Sequence, residues 1–519
     1  MLNGTQPNGE ERKLEMKRLN RNILQSVIAM LLIGGLAVTT VAAQLSDYEI
    51  SNAVDDALID DSATPAWNID VATDQGIVTL SGTVNNILAE DRAEKIASTV
   101  KGVKGIINRL TVSAPFRADT EIEEDVRDAL LWDPVTESWE LSASVDNGMV
   151  TLNGVVDSWQ EKQLASKVAK GVSGVKGIIN QVSVDYKTER SDAEMEEEIQ
   201  QALRWDAYVD DALITVNVDN GQVTLTGTVG SLAEKREAWT EAWVAGVSQV
   251  DNNLDVESWA RDERFRVDKY VDMSDQEIEN AVNDAFLYDP RVNMFDLDVE
   301  AVNGQVTLRG TVDNLSARRA AAQDARSVVG VWGVENRVKV RPGTPSDDTI
   351  EDNVEDALVW DPYVDRYEID VAVTDGEVYL YGDVDSTFEK AQADDVASRQ
   401  VGVRDVNNFL TVNVPGPAIY SPYVGEWYLY DYDWYATANL TATESDWEIE
   451  NDIEGELFWS PFVDSDEVNV EVEDGIAMLT GTVDTWGEYQ SATENAFEGG
   501  AVGVDNNLTV HYGPDYYNP

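Results

Sequence analysis

The sequence predicts an α+β chain: a tandem array of six small modules, each running helix, strand, strand, helix, strand. The first observation behind this is a repeat. The stretch at 76–84 (Gly-Ile-Val-Thr-Leu-Ser-Gly-Thr-Val) returns at 148–156, 221–229, 304–312, 376–384 and 475–483, each copy opening on Gly with a second Gly six residues on. The second is that the apolar residues around every copy switch between a period of two and a helical spacing, which separates strands from helices. The resulting units are 45–113, 118–186, 191–258, 273–341, 346–414 and 444–512, with an aromatic-rich linker at 415–443 and a tail at 513–519.

Each module opens on a helix. Ser46 and Glu49 form a capping-box pattern that recurs as Ser191 and Glu194, Ser274 and Glu277, and Ser445 and Glu448, each pair satisfying donors of the first turn. Ile50, Val54, Ala57 and Leu58 then share one face, as do Ile122, Val126, Ala129 and Leu130 in the second copy. The helix stops at an aromatic-Asp-Pro signal, Trp132-Asp133-Pro134, Tyr288-Asp289-Pro290 and Trp360-Asp361-Pro362, with variants at Trp205-Asp206 and Trp459-Ser460-Pro461. Proline and the restraint on its predecessor end a helix there. The first copy departs, with Asp60 in the aromatic position.

Two alternating runs follow, Ile69 and Val71, then Val78, Leu80 and Val84. They are joined at Asp74-Gln75-Gly76, or Asp146-Asn147-Gly148 and Asp219-Asn220-Gly221 in other copies, the chemistry of a tight hairpin with positive φ. The repeated stretch is therefore the second hairpin strand. Gly82 and its equivalents sit on the face of Val78 and Leu80, where a missing side chain admits a helix. Thr79, Thr151, Thr224, Thr307 and, in the fifth copy, Tyr379 point to the uncovered face of the sheet. A second helix places Ala93, Ile96, Ala97 and Val100 on one side and ends at Gly102, or Gly174 in the second copy, where glycine accepts the left-handed conformation. A third strand closes each unit.

Composition narrows the function. The chain of 519 residues carries 98 Asp+Glu against 37 Lys+Arg, a formal net charge of -61, so nucleic acid is excluded as a partner. Charge spread over every repeat repels itself in dilute buffer and is screened near molar salt, which reads as a salt-adapted protein. Cysteine is absent and histidine occurs once, at His511. Disulfides, thiolate chemistry and the usual general base are therefore missing or nearly so. No phosphate-binding loop or calcium loop is visible, and abundant carboxylates make any chosen acid/base pair uninformative. No reaction, cofactor or metal site is read here.

Residues 1–43 read as a signal peptide or signal anchor. Arg12, Lys13, Lys17, Arg18 and Arg21 precede an apolar run at 23–43 that ends in small residues, and its length also suits a bilayer span. Either way the modules are expected outside the cytoplasmic membrane, in the periplasm or beyond.

The Gly-x-Val-Thr-Leu-x-Gly strand, the Gly102 class of glycines and endings such as Val334-Glu335-Asn336-Arg337-Val338-Lys339-Val340 together resemble the BON domain, and they do so in all six copies. The resemblance implies two helices on a mixed three-stranded sheet, a cell-envelope location, and a non-enzymatic role in osmotic stress or in attachment to membrane phospholipid or other envelope components. Anionic headgroups call for Lys and Arg. Lys95, Lys101 and Lys104, with Lys162, Lys167, Lys170 and Lys176, confine that expectation to the second helices of the first two modules.

Three further groups are candidates. Trp132, Trp205, Tyr288, Trp360 and Trp459 end the first helix, either covering their own cores or gripping a membrane or partner. Tyr428, Tyr430, Tyr432 and Trp434 recur at period two in the linker, for packing between modules five and six or for stacking on a glycan. Asn108, Asn180, Asn252, Asn336, Asn408 and Asn506 stand six residues past the glycine, where a buried amide ties the third strand to a neighbouring loop or meets a ligand. The reading is a non-enzymatic envelope protein; an adhesion or scaffold protein binding glycan or a protein partner is the alternative.

Overall fold

The computed structural model describes residues 45–133, 135–136, 140–187, 190–261, 273–293, 295–341, 345–414 and 445–511. The apolar run at 23–43 and the linker aromatics Tyr428, Tyr430, Tyr432 and Trp434 lie outside the described residues. In the first module α1 (Asp47–Asp60) precedes β1 (Ile69–Asp74) and β2 (Ile77–Val84), followed by α2 (Ile87–Ser98) and β3 (Gly105–Val112). The other modules repeat this order. Their helices are α3 (Asp119–Trp132) and α4 (Trp159–Lys170), α5 (Asp192–Trp205) and α6 (Leu232–Glu241), α7 (Asp275–Tyr288) and α8 (Leu315–Arg326), α9 (Asp347–Trp360) and α10 (Thr387–Ser398), and α11 (Asp446–Trp459) and α12 (Trp486–Glu498).

The sheet is mixed. β2 is the central strand, antiparallel to β1 with Val71 opposite Leu80, and parallel to β3 with Leu80 opposite Asn108. Both helices cover one face, so Val78, Leu80, Val54, Leu58, Ala93 and Ala97 meet in one core at 1% exposure or less. Each Val or Leu so buried contributes about 1.5–3 kcal/mol. Thr79, Thr151, Thr224, Thr307 and Tyr379 lie half-buried on the other face.

The hairpin turns have positive φ at both central residues, 54° at Gln75 and 77° at Gly76, the mirror-image turn whose twist matches paired strands. What holds them is an acidic residue that repeats in all six modules. The N–H groups of Gln75 and Gly76 donate to the two carboxylate oxygens of Asp47 at 2.9 Å each. Asp119, Asp192, Asp347 and Asp446 grip the turn amides in the same two-pronged way, and Asp275 accepts from Gly304. Each of these aspartates opens the first helix, one residue past the capping position, where the helix dipole also favours an anion.

Two local expectations are corrected. A Cβ on Gly82 would lie 1.9 Å from the carbonyl oxygen of Asn68, so this glycine admits the backbone leading into β1, its hairpin partner, and not a helix. The second helix also stops earlier than its glycine: α2 ends at Ser98, and Gly102, at φ 92°, turns the chain four residues later. The capping boxes at Ser46, Ser191, Ser274 and Ser445 form as expected.

Asp192→Ala should weaken the third module by about 1–2 kcal/mol, the scale of a charge-assisted hydrogen bond in a partly solvated site. Hydrogen exchange at molar salt should show faster exchange at the Asn220 and Gly221 amides; unchanged protection there would remove the clamp from the account.

Candidate functional site

The residues singled out for binding cluster where modules meet. The first helices of modules two to six carry a terminal aromatic to the rim of the module, and the turn after a second helix lies beside the rim of another module in three cases. Trp205 of module three packs on the core of module four, and Tyr288 of module four packs on the core of module three. The Tyr288 hydroxyl donates to Glu198 across that junction. Trp459 of module six packs on the core of module one. The carbonyl oxygens of Trp205, Trp360 and Trp459 accept from the N–H groups of Val329, Ser173 and Lys101 in other modules, each at 2.8 Å. Trp132 is the exception, 50% exposed at the end of α3.

Several of the lysines sit at junctions between modules as well. Lys101 places its ammonium over the Phe458 ring of module six, 5.1 Å from the centroid. Lys104 pairs with Glu257 of module three at 2.8 Å, and Lys170 of module two pairs with Asp91 of module one. Lys167 is half-buried and faces the buried Asp395 of module five. Lys95 lines a cavity of about 1240 Å³ together with Trp159, Trp243, Glu237 and Asp324. Lys162 contributes its carbonyl oxygen, which accepts from Asn180, and Lys176 is exposed. A cation committed to a carboxylate 2.8 Å away has less to offer a lipid phosphate.

The asparagines tie strand three to the second helix. Asn252 donates to the Lys235 carbonyl and accepts from the Leu254 N–H, and Asn180, Asn336, Asn408 and Asn506 do the same with their own helices. Asn108 bonds Glu94 instead. The tie runs to a helix, not to a loop.

A slot that sequence reading missed lies between the Asp that follows the first helix and the sixth residue of the second. In module one Arg92 meets Asp61 at 2.8 Å with both side chains at most 2% exposed. In module five Gln392 donates to Asp361 at 2.7 Å. In module three the pair is Glu237 and Asp206, two carboxylates, and with Glu241 they bring oxygens within 4.8 Å of one another. Among the described residues this is the group whose spacing suits a cation. Burial first, then Asp206 and Glu241, hold the Glu237 carboxyl well above its usual range. Asp324 is likewise held well above, by burial and by Asp289 against the relief from Arg291, and Glu494 by burial and Glu498. The sign of this substitution is readable only once the slot is known, because the two positions are about 30 residues apart.

With the modules in view, the comparisons with known proteins are decisive on class. The BON domain model matches residues 46–114, 118–186, 191–258, 274–342, 346–414 and 445–512, and the chain belongs to the BON domain family. It is 32% identical over 151 residues to osmotically-inducible protein Y of Escherichia coli, covering 28% of this chain and 73% of that one. It is 28% identical over 169 residues to outer membrane lipoprotein DolP of Haemophilus influenzae, covering 30% of this chain and 87% of that one. A solved chain of CdsD, a structural protein of the Chlamydia trachomatis type III secretion system, aligns over 43% of this chain and 93% of its own at 14% identity, with a TM-score of 0.12. No helix among the described residues is long and apolar enough to cross a membrane.

A carboxylate with a raised folded pKa takes up its proton more readily when folded, so its burden on stability eases as pH falls through that raised value. Glu49, Glu194, Glu277 and Glu448 are lowered by hydrogen bonds from their capping serines. Their contribution is present above the unfolded pKa and lost as pH falls through the lowered one. Thermal unfolding at constant molar salt should therefore shift upward from about pH 8 toward about pH 5 and drop again below about pH 4. Glu237→Gln, which recreates the module-five pairing, should stabilise by on the order of 1 kcal/mol at pH 8 and flatten the upward limb. A destabilised variant with an unaltered pH profile would contradict the carboxylate conflict.

Proposed function

We propose that this chain is a non-enzymatic exported protein of the cell envelope that attaches to envelope components and protects a salt-adapted bacterium under osmotic stress. The observation that carries the reading is the run of six BON modules, with sequence similarity to one protein named for osmotic induction and another named as an outer membrane lipoprotein. Residues 23–43 take the chain out as a cleaved signal or hold it as an anchor. The charge of -61 supports salt adaptation, since that self-repulsion is screened over about 3 Å at molar ionic strength. Membrane phospholipid is the leading attachment. Trp132 and the outward sheet faces serve it, and the lysines of modules one and two add to it only where their carboxylate partners release them.

A second reading, attachment to glycan, has one observation of its own. On module five the open face carries Tyr379, Tyr381 and Phe409, and Tyr381 stacks on Phe409 with centroids 5.4 Å apart while both stay about half exposed. The corresponding positions in module one are Thr79, Ser81 and Arg109.

Co-sedimentation of the full chain with vesicles of neutral and of anionic lipid at molar salt decides between them. Binding to vesicles that falls several-fold in Trp132→Ala supports the phospholipid reading. Retention on cell-wall glycan with no vesicle binding, lost in Tyr381→Ala, replaces it with the second.

A further inference from the structure

The second helices are buried beyond the needs of their own modules. Arg92, Gln392, Asp394, Asp395, Ser491 and Asn495 are polar and all less than a tenth exposed. What covers them is other modules, and the contacts recur at equivalent positions. The first residue of α2, Ile87, sits in the core of module two. The first residue of α4, Trp159, stacks on Trp243 of module three, 4.9 Å between centroids and 5° between planes. The first residue of α6, Leu232, sits in the core of module one. Module one contacts two, two contacts three, and three returns to one.

Two steps of the same pattern recur in the other half of the chain. Leu315, first in α8, sits in the core of module five, and Trp486, first in α12, lies 6.0 Å from Trp332 of module four. The third step, from module five to module six, is carried by equivalence: Thr387, first in α10 as Ile87 is in α2, is 2% exposed. Ion pairs keep the same direction: Arg236 of module three with Glu94 of module one, and Arg319 of module four with Asp394 of module five. In both, the arginine is fifth in its helix and the carboxylate eighth. A head-to-tail contact that returns to its start after three steps is a ring.

Between the halves the contacts are of the other kind. Trp205 and Tyr288, each the last residue of its first helix, exchange places in each other's cores. Tyr208 of module three meets Phe462 of module six at 6.2 Å, and each stands three residues past the end of its helix. The same position meeting itself is the signature of a two-fold contact. The carbonyl contacts from Trp205, Trp360 and Trp459 pair module three with four, two with five, and one with six, and the donor in each is the residue just before the turn glycine.

We propose that modules one to three and modules four to six are two closed three-module rings that recognise each other face to face, so that the buried face of each ring is an interaction surface whose partner is the other ring. The connections to lipid or glycan are then left to the outward sheet faces, and six is the module number at which both kinds of contact are satisfied within one chain.

Residues 262–272 join the two rings. A protease site placed there in the full chain, cut to completion after folding in molar salt, should leave one complex with the uncut mass by light scattering and an unchanged circular dichroism spectrum. Release of two fragments of about half that mass, each still folded, would overturn recognition between the rings. Small-angle scattering of the uncut chain should give a radius of gyration near 25 Å, the scale of one compact body of this length. A value above about 40 Å, that of a string of separate modules, would overturn the rings themselves.

Discussion

Each module depends on one acidic side chain reaching across it. In five modules the aspartate that opens the first helix holds both amides of the hairpin turn 28 and 29 residues away, and in module four Asp275 holds the Gly304 amide. A two-residue turn with positive φ at both positions leaves its N–H groups pointing outward, and a carboxylate is a geometric match for two such donors. The helix start favours the charge and the charge fixes where the hairpin lies against the helix. From that distance follow the register of Val78 and Leu80 beneath α1 and the placement of the parallel third strand. The first helix also sets the position of its terminal aromatic, so the junctions between modules inherit the geometry of the clamp.

One slot carrying three different chemistries shows how far the copies have diverged around that frame. Arg92 with Asp61 is a buried ion pair, Gln392 with Asp361 a neutral-to-charged hydrogen bond, and Glu237 with Asp206 a conflict of like charges. Burial makes each count, because removing a charge from water costs several kcal/mol unless a partner compensates. The conflict lies in the junction between modules three and four, where Glu241, Asp289 and Asp324 add further carboxylates. Basic residues, only 37 in the chain, appear at junctions repeatedly: Lys101, Lys104, Lys170, Arg236 and Arg319 all bridge modules.

Much of the module was legible beforehand, since it rests on short-range chemistry. Capping boxes, the tight turns and the alternation of Val78 and Leu80 operate within a few residues, and each recurs along the chain, the Ser-Glu capping box in four copies and the Asn-Gly or Asp-Gly turn in five. Gly82 shows the limit of local reading. Its need for an absent side chain was visible, but whether a helix or a strand approached could not be told without knowing that Asn68 lies 1.9 Å from where a Cβ would stand. Asp47 was equally visible, in six copies, yet it was hidden among 98 acidic residues because its partner is 28 positions away.

The sequence by itself determined the module, its six-fold repetition, its family and the acidity that sets its solution behaviour, for these follow from local pattern and from sums over residues. Only the tertiary structure decided what the rim aromatics and the lysines touch. Trp205, Tyr288 and Trp459 read first as covers for their own cores, with a membrane or partner grip as the alternative, and they rest on neighbouring modules of the same chain. Contacts between elements hundreds of residues apart leave no periodicity, since they depend on how whole folded bodies fit and not on spacing along the chain.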